Sequence, residues 1–374
     1  MKKILFIGYS VTLVALTIFS YAFIDQHLLY YASFYSGFAF INRLTTTALY
    51  CFFIVLLFIF YFLFIRLLKQ KKLSVKDIKV LIGMTCLLLL FSYPAMLSYD
   101  IFNYIATAKV LFFYHENPFV IMPIAFLGDP LLAFTHAANK VALYGPVWIV
   151  LTGVPYLLGG GNFFLTVMSF KILVVLFYLL TLFVLWQFTK NPSTILLFGL
   201  NPLVVLETLT SNHNDIVMMF FTLFAFLLIK QKKYLFAFCF FVLSILIKYA
   251  TIFLLPVFLF TLWQSYRQKT IDWKKSFFFS TLAMLAIFFL SPLREELYPW
   301  YAIWFLPFAF LTEKKILLYF SIAMSFGLLL RYIPFMYLGT YFGPTPLIRI
   351  VVTGIPLFIA GLLLLFQHKL LKKR

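Results

Sequence analysis

The sequence predicts an all-α, polytopic membrane bundle, and three observations predict it. Hydrophobic residues fill 64% of the 374 positions and charged residues 11%, which leaves too little polar surface for a soluble chain of this size. Mean hydropathy is +1.03, and the apolar runs are long and continuous, not the alternating ten-residue segments of a barrel. Basic residues gather in short loops between those runs, as the positive-inside rule requires of cytosolic loops. The same loops account for the formal net charge of +19, which reads as topology and attraction to an anionic leaflet, not as nucleic-acid binding. Cys51, Cys86 and Cys239 all lie inside apolar runs, so no disulfide framework or metal motif is present.

Taken in order, Lys2 and Lys3 put the N-terminus in the cytosol, and Ile4–Ile24 is the first span, too long for a signal-peptide core. Thr45–Ile65 returns to the dense basic loop of Arg66, Lys69, Lys71, Lys72, Lys76 and Lys79. Val80–Leu97 crosses outward, placing Ser98-Tyr99-Asp100 at the external surface ahead of a long loop, 98–144. Val147–Leu158 is too short to span and reads as re-entrant or surface-lying. Phe163–Phe188 runs inward, and the basic clusters near 230–233, 267–275, 314–315 and 369–374 are cytosolic. Tyr234–Trp263 carries cytosolic charge at both ends, so it folds as a hairpin whose arms, at roughly 22 Å, are shorter than a bilayer core of about 30 Å. Its turn at Lys248 therefore lies at the floor of an outward-facing cavity. Ser193–Thr210 is similarly short. The expectation is about 11–13 spans, including short or re-entrant helices, in one integral domain covering 1–374.

Carboxylates are costly in such a chain, and eight of the eleven fall on the external side: Asp25, Asp100, Glu116, Asp129, Glu207, Asp215, Glu295 and Glu296. Asp100 follows a span and opens an amphipathic pattern. Ile101, Ile105, Ala108 and Phe112 recur on one face, and Asp100, Asn103, Tyr104 and Thr107 on the other, as in an interfacial helix. The carboxylate there serves as a general base on a hydroxyl, as a helix N-cap, or as both. Asn212-His213-Asn214-Asp215 is either a polar site or a capped loop, and it lacks a second His or Cys at metal-ligand spacing. Lys248, inside an apolar hairpin, either binds a phosphate or snorkels to the interface. Tyr298-Pro299-Trp300-Tyr301 and Trp304, behind Arg294, Glu295 and Glu296, either stack on a sugar or belong to an aromatic belt; Arg331, Tyr332, Tyr337 and Tyr341 carry the same ambiguity.

Together these pieces resemble the GT-C superfamily of membrane glycosyltransferases that use polyprenyl-phosphate sugars, and most closely the bacterial lipid-linked α-mannosyltransferases. The resemblance rests on motifs in order over roughly residues 98–305: Tyr99-Asp100 with Asn103-Tyr104 and Asn117-Pro118; Tyr144-Gly145-Pro146; Asn201-Pro202 followed by His213-Asn214-Asp215; and Tyr298-Pro299-Trp300-Tyr301. It implies that Asp100 is the catalytic base and that an acceptor hydroxyl displaces a lipid phosphate with inversion. It further implies a donor that is itself the lipid-linked sugar, with no separate cofactor and no metal. Lys248 leads as the cation at the leaving phosphate, with Arg294 or Arg331 as alternatives. The implied partners are a polyprenyl-phosphate sugar, a glycan or glycolipid acceptor and membrane lipid. The implied location is a bacterial plasma membrane with the site facing outward. A flippase and a polymerase or ligase are the rival classes. The first more often has inverted repeats, which are not seen here. The second usually places several Arg in one external loop, whereas 98–144 carries only Lys109 and Lys140.

Overall fold

The computed structural model describes residues 2–25, 28, 37–293 and 296–372, with 366–372 as backbone only. Regular structure among them is helical throughout. Among the described residues, seven helices are long and apolar enough to cross a bilayer: 2–23, 43–69, 163–189, 249–266, 273–293, 315–338 and 345–365. The pair Pro192–Gly199 and Pro202–Thr210, bent by 58°, adds an eighth if taken as one span. This is a multi-pass membrane protein. The other apolar helices are shorter, so the expected 11–13 elements divide into full spans and partial ones.

We label the helices that build the site α1 (Lys2–Ser20), α2 (Arg43–Lys69), α3 (Val75–Leu90), α4 (Asp100–Phe112), α5 (Pro146–Leu158), α6 (Phe163–Thr189), α7 (Pro192–Gly199) and α8 (Pro202–Val205). They continue as α9 (Asp215–Lys230), α10 (Tyr234–Ile245), α11 (Leu255–Tyr266), α12 (Trp273–Leu290), α13 (Leu306–Leu311), α14 (Lys315–Leu330) and α15 (Thr345–Lys372).

Local chemistry fixes the ends of these helices. Helix α3 opens on a capping box between Ser74 and Asp77. It stops at Leu90, short of the expected Leu97, because the buried Lys171 ammonium of α6 donates to the carbonyls of Leu89 and Ser92 and satisfies the helix end. Pro94 then turns the chain through a single 3-10 turn towards Asp100. Two Asn-Pro pairs start α7 and α8: each asparagine caps the new helix and each proline occupies its first position. At the bend, Tyr61 and Tyr178 donate to the carbonyls of Leu197 and Gly199 left free by the break. The hairpin expected around Lys248 forms, with α10 and α11 as arms. Its turn docks on the start of α5, where the amides of Gly145 and Val147 donate to the carbonyls of Ile247 and Leu246 at 3.0 Å. A Cβ at Gly145 would lie 2.1 Å from the Leu246 carbonyl, so this approach demands glycine.

Charges sort into two groups. In one, Lys2 pairs with Asp77 at 2.9 Å, Asp272 caps α12, and Glu313 bridges Lys274 and Asn191. Asp25, Asp100 and Glu296 instead line the cavity described next, with Glu207 and Asp215 fully buried nearby.

Candidate active site

Helix α4 is not surface-lying. Its residues from Ile101 to Ala108 are buried except at the Asp100 end, and its polar face meets the α8–α9 connection instead of solvent. The apolar face packs on α5 and α6, so the amphipathic pattern divides two protein environments. Asp100 is the first helical residue and its side chain caps nothing. It is held by His213, whose Nδ1 lies 3.4 Å from Oδ2, and by Asn103, whose Nδ2 lies 3.5 Å from Oδ1. About a fifth of the side chain, 22%, stays exposed, and it opens on a cavity of about 480 Å³.

The second wall of the site follows from the break at Asn201-Pro202. Beyond α8 the backbone widens into a π turn, Leu206–Thr210, and Asn212 takes a left-handed φ of 60°. This geometry turns Glu207 and His213 back on each other, so that Glu207 Oε2 sits 3.3 Å from His213 Nε2. Glu207 also accepts from the Tyr332 hydroxyl at 2.9 Å. The imidazole is fully buried between two carboxylates and stacks on Trp300 with ring centres 4.0 Å apart. Burial pushes His213 down, but Asp100 and Glu207 together outweigh it and raise it to about 9. Burial likewise pushes Asp100 up, and His213, aided by the charge of Lys248 and by Asn103, leaves its carboxyl below the usual range. At neutral pH the pair is therefore an anionic carboxylate beside a cationic imidazolium.

Asp215 forms a separate cluster. It accepts from the Lys248 ammonium at 2.9 Å and from the Trp304 indole, while Tyr301 and Trp304 face the ammonium at 4.8 and 5.7 Å. Lys248 thus has a carboxylate partner and does not line the cavity. Asn214 donates its amide to the Tyr104 hydroxyl at 3.3 Å, and Tyr104 meets the Tyr144 ring edge-on at 4.7 Å. Trp300 and Tyr301 are buried inside the bundle, not at a lipid interface. Neither His213 nor Asp215 is a helix cap, and α9 starts without a side-chain cap.

Arg331 does line the cavity, joined there by Arg43 and Arg349. Glu296 receives Arg331 Nη2 at 2.9 Å and contacts Arg349 Nη1 through the same oxygen. Asp25, Tyr99 and His136 complete another part of the lining; His136 stacks on Tyr99 at 3.8 Å. Arg294 lies outside the described residues. The site residues Asp100, Asn103, Tyr104, Tyr144, His213, Asn214, Asp215, Lys248, Trp300 and Tyr301 converge in two touching clusters, and Arg331 stands across the cavity wall with Glu296. Sequence reasoning missed Glu207, Glu296 as a site residue, Arg43 and Arg349. A lone acid inside an apolar run was the available signal for Glu207. Among the described residues, no group of three or more His, Cys, Asp or Glu stands where it could hold a metal ion.

A family model described as alpha-(1->6)-mannopyranosyltransferase, N-terminal domain, matches residues 8–265. The chain belongs to the MptA_B family. It is a glycosyltransferase of the α-mannosyltransferase type, with a sugar donor and a glycan acceptor. No curated protein and no solved structure matches the chain. The matched region of this mannosyltransferase carries Asp100, which lines the cavity, and Glu207, His213, Asp215 and Lys248 behind it, while Glu296, Trp300, Arg331 and Arg349 line the cavity from beyond that region.

Proposed function

We propose that this mannosyltransferase moves mannose from a polyprenyl-phosphate carrier to a lipid-linked or cell-envelope glycan, with inversion, on the external face of a bacterial plasma membrane. One observation carries the reading. Asp100, an anionic carboxylate oriented by His213, opens on a cavity whose walls also present Arg43, Arg331 and Arg349. A base and a group of guanidiniums around one space is what a displacement of phosphate by a hydroxyl requires.

In this mechanism the acceptor hydroxyl attacks the anomeric carbon and gives its proton to Asp100. The new C–O glycosidic bond forms as the bond from that carbon to the phosphate oxygen breaks, and its electron pair leaves on the lipid phosphate. Arg331, with Arg43 and Arg349, takes up the charge that develops there, since Lys248 is committed to Asp215 and lies outside the cavity lining. His213 keeps the base ionised and aimed, and Trp300 braces His213 from behind. Asn103, Tyr298 and Trp300 line the cavity and shape the wall against which the sugar rests, and Tyr104, Tyr144, Asn214 and Tyr301 pack behind that wall.

The test is transfer from labelled polyprenyl-phosphate mannose in membranes containing Asp100→Asn at normal protein level. Loss of about a thousandfold is expected, the scale of a positioned base. Unchanged transfer removes Asp100 from the mechanism. Offering several lipid-phosphate sugars to the purified protein checks the donor. Tags at 100 and 214 that react from the same side as the 69–79 loop would overturn the orientation.

A further inference from the structure

We propose that Glu296 is a built-in competitor for the lipid phosphate. Its carboxylate occupies the Arg331–Arg349 pair at rest, yields it to the phosphate, and by returning helps the polyprenyl phosphate product to leave. This inference rests on the lipid-phosphate donor proposed above.

The argument begins with one carboxylate oxygen serving two guanidiniums, Arg331 Nη2 at 2.9 Å and Arg349 Nη1 in direct contact. Two positive charges against one negative leave a net charge in a poorly hydrated space, which invites a second anion. Both Nε atoms are buried and have no hydrogen-bond partner among the described residues, so each guanidinium has donors to spare. The other carboxylates of the cavity are engaged elsewhere, Asp100 with His213 and Asp25 with the Tyr99 hydroxyl. Arg43 adds a third guanidinium, whose Nη1 donates to the Met336 carbonyl at 3.3 Å.

Anchorage and exposure separate the partners. Arg331 is at the end of α14 and Arg349 is in the first turns of α15; their side chains are 8% and 9% exposed. Glu296 stands on a non-helical connection and is 32% exposed to the cavity. The arginines are therefore fixed and the glutamate is the member that can give way. A phosphate offers the same kind of acceptor oxygens to the same donors. It also carries more charge after the reaction than before, because a diester becomes a monoester of roughly −1.5 to −2. A bare arginine pair would hold that product tightly, and an attached carboxylate offsets the gain.

If Glu296 were only a buttress that orients the two arginines, removing its charge would weaken phosphate binding. A competitor predicts the opposite sign. The probe is geranyl phosphate, a short soluble prenyl phosphate, titrated into the full-length protein in detergent and used as an inhibitor of mannose transfer. Glu296→Gln is expected to bind it roughly tenfold more tightly, the scale of one charge-assisted hydrogen bond, and to turn over more slowly at saturating donor. Arg349→Gln is expected to bind it roughly tenfold more weakly. Glu296→Asp, with a shorter reach, should shift binding in the same direction by less, and it serves if the glutamine variant does not fold. Weaker or unchanged geranyl phosphate binding in a folded Glu296→Gln overturns the proposal. So does a response seen with inorganic phosphate alone. Wild type that binds no geranyl phosphate sinks the lipid-phosphate donor as well, whereas wild-type binding with an indifferent Glu296→Gln sinks this inference alone.

Discussion

Asp100 and Asp215 each pair with a cation, each is backed by indole and phenol rings, and both belong to walls that meet at Tyr104. Asp100 faces His213 at 3.4 Å, keeps 22% of its side chain exposed and borders a cavity. Asp215 holds Lys248 at 2.9 Å, is fully buried, and is closed over by Tyr301 and Trp304. The open pair is loose and accessible, as a group that exchanges protons with a substrate must be. The closed pair is tight and dry, as a structural ion pair is. Residue types are nearly the same in both, and access decides which of the two can do chemistry.

The widest expected gap between the clusters is in activity. Asp100→Asn should lower kcat by about a thousandfold with little change in thermal stability. Lys248→Met should do the reverse, because it strands the Asp215 carboxylate in a dry site at a cost of about 3–5 kcal/mol. Thermal unfolding in detergent checks this, and the double variant Asp215→Asn, Lys248→Met should recover part of the loss. A Lys248→Met protein of normal stability but higher donor KM would erase the distinction and return the phosphate to the lysine.

A pH profile sharpens the comparison next. His213 is raised to about 9, so its positive charge is complete below the ordinary histidine range and is lost as pH rises through about 9. Asp100 is lowered, so its negative charge is complete above the ordinary carboxylate range and is lost only as pH falls through the depressed value. Transfer should be flat across neutral pH and fall near 9. His213→Gln should lose that alkaline limb and move the acid limb upward, as read from kcat/KM measured across pH.

How much of this was written in the chain differs between the parts. Hydropathy alone carried the bundle, whereas at Asp100 the residues left a base and a helix cap both open, and only the resemblance favoured the base. The Lys248 hairpin followed from arithmetic on its length. Partnerships could not be read: Glu296 and Arg349, or Asp215 and Lys248, are brought together by packing, and nothing in their spacing says so. Arg43 and Arg349 near span ends look like topology signals. The end of α3 at Leu90 depends on Lys171, a residue from another helix that no window of hydropathy contains. The 298–304 aromatics were ambiguous because a belt and a binding wall use the same rings, and their burial together with the stack of Trp300 on His213 separates them.

The smallest expected effect tests what divides the two clusters. Asn201 breaks the chain between α7 and α8 by accepting from the amides of Leu203 and Val204 at 3.0 and 3.4 Å, and its Nδ2 donates to Ser325 at 3.2 Å. That break sets the direction of the π turn, which aims Glu207 and His213 at Asp100, while Asp215 starts the next helix and stays with Lys248. Asn201→Ala should cost about 1 kcal/mol of stability, the usual value of a lost cap. Pro202 still enforces the bend, so the chain should fold. The looser turn should then be felt at His213 and not at Lys248: kcat should fall several-fold while the Lys248→Met stability penalty stays the same in either background. Asn201→Asp keeps the cap acceptor and loses the amide donor to Ser325, so it should restore most of the lost kcat. Equal losses of kcat in both variants would mean that the Ser325 bond, and not the cap, fixes the turn.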